Sequence, residues 1–261
     1  MGQLLSYSIT SAVFMIPFYL VFRLLMSGER QPAFNRIALH VVYIVALIAP
    51  VLCRIDWGSL SVTQLPESQA EVVAGVPFGG YVAAIDEAVS PVWRWIVILY
   101  AAGVLVVTVM TGVSMFALAR LVRSSVEVYH SNDFTVYVLP DAYGTAPFSF
   151  MNCIVLKKSD YDSDDVSQLI ILHESCHVRH RHWIDLLLAQ AVCILQWFNP
   201  AAWLLRDELR SVHEYQADAD VLCALHGNIS LYQNLLIKKA VGASFPSLAN
   251  SLNHSNLKKR I

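Results

Sequence analysis

Leu4 to Met26 is an apolar run with no charge before Arg23. As one helix it is long enough to cross a hydrocarbon core of about 30 Å. Such a run forces every later element onto one side of a bilayer or the other. No basic residue precedes it and no small-residue cleavage site is evident, so it reads as a retained span rather than a signal peptide. Ser27-Gly28-Glu29-Arg30-Gln31-Pro32 breaks it. A second, shorter run, Ile37 to Cys53, carries His40 near its start and Pro50 near its end. His40 reads as an interfacial or helix-packing residue. Pro91-Val92-Trp93-Arg94-Trp95 sets aromatic anchors before a third run, Ile96 to Leu118. The expected spans are therefore about 4–26, 37–53 and 92–118, within a transmembrane region of 1–123.

Composition agrees. The 261 residues are 56% hydrophobic and 15% charged, with mean hydropathy +0.50, too apolar for an ordinary soluble domain. A formal net charge of −2 gives no electrostatic case for direct nucleic-acid binding. The five cysteines are scattered, odd in number and without a C-x-x-C pair, which is not a disulfide framework. Arginines fix the orientation. Arg23, Arg30 and Arg36 flank the first loop, and Arg120 and Arg123 follow the third span, whereas loop 54–91 is acid-rich. The positive-inside rule then puts the N-terminus outside, loop 54–91 outside, and the chain after Arg120 in the cytoplasm.

In that cytoplasmic part stand His173-Glu174-Ser175-Cys176-His177. Two histidines at i and i+4 on a helix lie one above the other and can reach one metal ion, the H-E-x-x-H pattern of zinc peptidases. Glu174 falls beside the open coordination position, where a carboxylate can take a proton from water. Tyr161 to Asp165 offers N-cap candidates and acidic residues for the helix start, and Val166, Leu169, Ile170 and His173 recur at helical spacing. Further on, Glu214 and Asp218 are again i and i+4. Glu214 completes a set of two histidines and one glutamate with a free fourth position. Asp218 can accept the other ring N–H of a ligating histidine. The bland alternative, solvated charges on a surface helix, accounts for either motif alone but not for both together.

Between the motifs lies Leu186 to Leu205, apolar and by length a fourth span. A crossing would separate His173 and His177 from Glu214. Gln190, Gln196 and Asn199-Pro200 also fit lipid badly, and Asn199 with Pro200 makes a good helix start. The run is thus expected to be a hairpin, 184–205, that dips into the membrane or lies against the spans. Its arms, counted from His177 and to Glu214, come to about 33 and 22 Å at 1.5 Å per residue, so one must tilt or bend.

Period-two alternation marks Val126 to His130 and Phe134 to Leu139 as a hairpin, with two short strands, Ala146 to Phe150 and Asn152 to Leu156, around Met151. A small sheet beside the motif helix can offer an edge strand to an extended peptide. Tyr232 to Val241 reads as a further helix. Segment 246–261 ends in Lys258-Lys259-Arg260, the basic cluster expected just before another span, so the chain reads as stopping short of one. The fold class expected is a mainly α membrane protein with a small β element, three N-terminal transmembrane helices and a cytoplasmic zinc-peptidase domain over 124–245.

The three spans, His173 to His177, Asp185, Trp197-Phe198-Asn199-Pro200, Glu214 to Asp218, and Ala146-Pro147-Phe148-Ser149-Phe150 together resemble the BlaR/MecR-type membrane zinc metallopeptidases of bacteria. The resemblance implies a gluzincin-like site in the bacterial cytoplasmic membrane. His173, His177 and Glu214 would hold Zn(2+), Glu174 would activate water, and Asp218 would support a ligand. It further implies a peptide or protein substrate, a transcriptional repressor or the chain itself, in signal transduction. A homodimer is left open. Two rivals remain: a non-catalytic transducer with a structural zinc site, and a metal carrier. Intact Glu174 and a free water position weigh against the first, and the near absence of ionisable residues inside the first and third spans weighs against the second.

Overall fold

The computed structural model describes residues 2–26, 31–53 and 91–225. The expected loop 54–91 (apart from Pro91), the helix at Tyr232 to Val241 and the basic segment 246–261 lie outside the described residues. The described part is mainly helical with one small sheet. Three helices come first: α1 (Gly2–Met26), α2 (Pro32–Leu52) and α3 (Pro91–Arg123). All three are long and apolar enough to cross a membrane, and large apolar side chains such as Leu20, Leu24, Ile44, Leu105 and Phe116 are exposed on them.

Two boundaries differ from expectation. α2 begins five residues before Ile37, because Pro32 takes the first helical position after an extended Gln31. That places Arg36 inside the helix, where Asp185 neutralises it at 2.7 Å. α3 runs past Leu118 through both arginines and stops at Ser124-Ser125, whose hydroxyls bond back to the carbonyls of Arg120 and Val122.

β1 (Val126–His130) and β2 (Thr135–Leu139) form the expected antiparallel hairpin, with a bulge between Glu127 and Tyr129. β3 (Phe148–Phe150) and β4 (Cys153–Lys157) form a second one, turning at Met151 in the left-handed region, φ +52°. The sheet order is β1-β2-β4-β3, and β2 pairs with β4 in parallel. Val136, Ile154 and Leu156 bury one face of it against Leu169, Ile170 and Cys176 of α5 (Asp164–Arg179) and Ala217 and Val221 of α7 (Pro200–Ala224). A single turn, α4 (Lys158–Tyr161), joins β4 to α5.

The apolar run after the motif folds back. α6 (His182–Leu195) leads to Asn199, whose side chain accepts from the Ala201 N–H at 3.0 Å, and α7 returns. The arms are nearly equal, not 33 and 22 Å. His177 to Arg179 still belong to α5, and the chain turns at Arg181 (φ +53°) before α6 starts. Each arm is then about 21 Å, so neither needs to bend. The hairpin lies against α1 and α2: Ala189, Val192, Cys193, Ala202 and Leu205 share a core with Met15, Tyr19, Leu39 and Ala46. Its awkward polar groups bond to protein. Gln196 Nε2 donates to the Ser8 carbonyl, and Gln190 donates to Thr111 of α3 and accepts from Arg206.

Candidate metal centre

α5 buries Leu169 and Ile170 in the sheet-side core, which fixes its rotation and turns His173 and His177 together toward α7. Their Nε2 atoms stand 3.3 Å apart. α7 supplies Glu214, with one carboxylate oxygen 3.7 Å from His173 Nε2 and the other 3.6 Å from His177 Nε2. These three residues form a candidate metal-holding group among the described residues. His173 is buried and His177 only partly so, at 14% side-chain exposure, whereas the Glu214 side chain is 39% exposed, so the group opens toward solvent on its α7 side.

The donor set fits a tetrahedral cation. Ligands at about 2.0–2.1 Å from a tetrahedral zinc stand about 3.3 Å from one another, close to the spacings here. The other ring nitrogens also fit. His173 Nδ1 faces Asp218 Oδ1 at 3.4 Å, and His177 Nδ1 faces His182 Nδ1 at 2.7 Å. With the protons on Nδ1, two deprotonated Nε2 atoms and a carboxylate converge, an arrangement that suits a cation between them. Burial lowers the His177 pKa against the opposing pull of Glu214 and Glu174, which keeps the ring neutral and able to ligate. Glu174 follows His173 on α5 and is buried.

Residues 147–261 match the BlaR1 peptidase M56 family. The matched stretch starts one residue before β3 and takes in His173, Glu174, His177, Glu214 and Asp218. It bears out the BlaR/MecR-type resemblance over this stretch, which is similar to a metallopeptidase family and follows helices apolar enough to cross a membrane. No curated protein matches the chain.

Around the M56 motif the structure adds residues that spacing did not single out. His182 stacks on His213 at 4.0 Å between ring centroids and an 8° interplanar angle. Its Nε2 lies 3.3 Å from Gln216 Oε1. Burial, with His213, His177 and Arg36 adding, pushes the His182 pKa down to about 2, so the ring is neutral. Asp185 was legible only through the resemblance. It gathers Arg36 at 2.7 Å, His40 at 3.2 Å and His213 at 3.0 Å. Burial works to raise its pKa, but the hydrogen bonds from His213, His40 and Arg36 outweigh that and hold it well below the usual carboxylate range. His40 is thus a helix-packing residue, as its position suggested. The sequence signal for the missed set was a second i, i+4 polar pair, Gln216 and Asp220, interleaved with Glu214 and Asp218.

Proposed function

We propose that the protein is a membrane-embedded, zinc-dependent endopeptidase of gluzincin type, hydrolysing peptide bonds at the cytoplasmic face of the bacterial inner membrane. The carrying observation is the convergence of His173, His177 and Glu214 from two distant motifs within 4.8 Å of one another. These three residues would hold the metal. Bound there, zinc supplies Lewis-acid polarisation of the scissile carbonyl and of water. Glu174, on the same helix and buried beside the histidines, takes the proton of the attacking water and returns it to the leaving amine. Asp218, 3.4 Å from His173 Nδ1, accepts its proton and so favours the tautomer with Nε2 deprotonated.

The substrate backbone has a place to lie. Among the described residues β3 pairs only with β4 and is the sheet-edge strand against α5, so an extended peptide can add to it as a further strand. The groups near in sequence that could steady the oxyanion are His180, His213, Tyr215 and Arg210; His180 and His213 already bond to Asp220 and Asp185, and Arg210 pairs with Asp207. The cytoplasmic orientation rests on Arg23, Arg30 and Arg36 in and around the first loop and on Arg120 and Arg123 at the end of the third span. The family match supports a regulatory role in which the chain cleaves itself or a repressor.

Glu174→Ala tests the assignment. The variant should keep its metal and lose cleavage of a verified peptide substrate by about 100-fold or more. Cleavage at the wild-type rate would remove Glu174 from the reaction.

A further inference from the structure

A chain of hydrogen-bonding groups leads from His177 through His182 at the start of α6 to Gln216 and Asp220 on α7. His177 Nδ1 meets His182 Nδ1 at 2.7 Å, and His182 Nε2 meets Gln216 Oε1 at 3.3 Å. Gln216 Nε2 meets His180 Nδ1 at 3.3 Å, and His180 Nε2 meets Asp220 Oδ2 at 2.7 Å. Each imidazole has one donor and one acceptor nitrogen when neutral, and a carboxylate only accepts. Asp220 therefore makes His180 Nε2 the donor and His180 Nδ1 the acceptor. Gln216 must then give its amide N–H to His180 and turn its oxygen to His182, as observed. His182 donates from Nε2 to that oxygen, which leaves its Nδ1 as an acceptor. The group aimed at this acceptor is His177 Nδ1, which must carry the proton. Read from the surface inward, the chain has one consistent direction, and it ends by leaving His177 Nε2 deprotonated where His173 and Glu214 meet it.

We infer that His182 is the positioning residue for His177: through Gln216, His180 and Asp220 it fixes the tautomer and ring direction in which Nε2 faces the metal. The inference rests on the metal reading of the site. It gives the two ligand histidines different supports: a carboxylate, Asp218, for His173, and a neutral imidazole for His177. Stacking of His182 on His213, whose Nε2 is bonded to Asp185, holds the supporting ring in place.

The test is zinc affinity of the purified full chain in detergent, measured by chelator competition, with the visible spectrum of the cobalt(II)-substituted protein as a second readout. His182→Phe keeps a ring to stack on His213 but has no acceptor; His182→Asn loses the ring but keeps an amide oxygen near the Nδ1 position. The inference predicts that Phe weakens zinc binding about 10- to 100-fold and alters the cobalt spectrum, while Asn restores both toward wild type. Asp220→Leu, at a side chain 37% exposed, should weaken binding in the same direction by a smaller factor. Full affinity in the Phe variant with loss in the Asn variant would make His182 a packing residue and overturn the inference. So would unchanged affinity in the Asp220 variant. A wild-type chain that binds no zinc would overturn the metal reading itself, a result distinct from either.

Discussion

Asp185 shows how single residues carry the junction between the apolar helices and the pair that brings the candidate metal group together. Its carboxylate, 9% exposed, accepts from Arg36 and His40 on α2 and from His213 on α7, next to Glu214. Removing the charge leaves the Arg36 guanidinium half-buried without its partner, a loss of about 3 kcal/mol. Asp185→Asn should therefore lower stability by that order in denaturant titrations, and a change under about 0.5 kcal/mol would contradict it. The pH dependence has a definite sign. The folded pKa lies below the unfolded value of about 4, so the contribution is complete above that value and is lost only as pH falls further through the folded one. At this scale the candidate ligands that the structure brings together, His173, His177 and Glu214, were readable from i, i+4 spacing, and Asp218 with them. His182 was not, because His177 and His182 are five residues apart across the left-handed turn at Arg181, where no helical or strand period applies.

Among elements, the hairpin of α6 and α7 decides the site, since it returns Glu214 to His173 and His177. The sequence showed that it must return, by the incompatibility of a crossing with one shared ion, and showed where, by Asn199 and Pro200. The turn that equalises the arms was hidden, because nothing in His180-Arg181-His182 resembles a usual breaker. The parallel pairing of β2 with β4 was equally hidden, being a contact between two hairpins rather than within one. The hairpin also leans on α3. Trp197 Nε1 donates to the Tyr100 carbonyl, and its ring fills the space where a side chain at Gly103 would go, so an added Cβ would come within 2.1 Å of it. Gly103→Leu should therefore push Trp197 away and lower stability by about 1–3 kcal/mol, an overpacking cost. Trp197 fluorescence should report the displacement, and an unchanged spectrum with full stability would show that α3 does not hold the hairpin.

At the scale of the whole molecule, two bodies of apolar packing meet. One joins α1, α2 and the hairpin; the other joins the sheet, α5 and the end of α7. α7 runs through both, with Leu205 and Leu209 in the first and Ala217 and Val221 in the second, and Glu214 lies between them. The site is thus built at the seam, and its integrity depends on the hairpin folding back. The apolar runs made the helical part legible because length and hydropathy alone specify it. The seam was not legible, since it depends on which faces of α7 each core claims. The most direct measurement is zinc content per chain for the purified wild type beside Glu214→Ala. About one zinc in the wild type and clear loss in the variant is the predicted result, since three protein ligands are needed to hold the ion with a free fourth position. Zinc retained in full by Glu214→Ala, or none in the reconstituted wild type, would contradict a shared site built from α5 and α7.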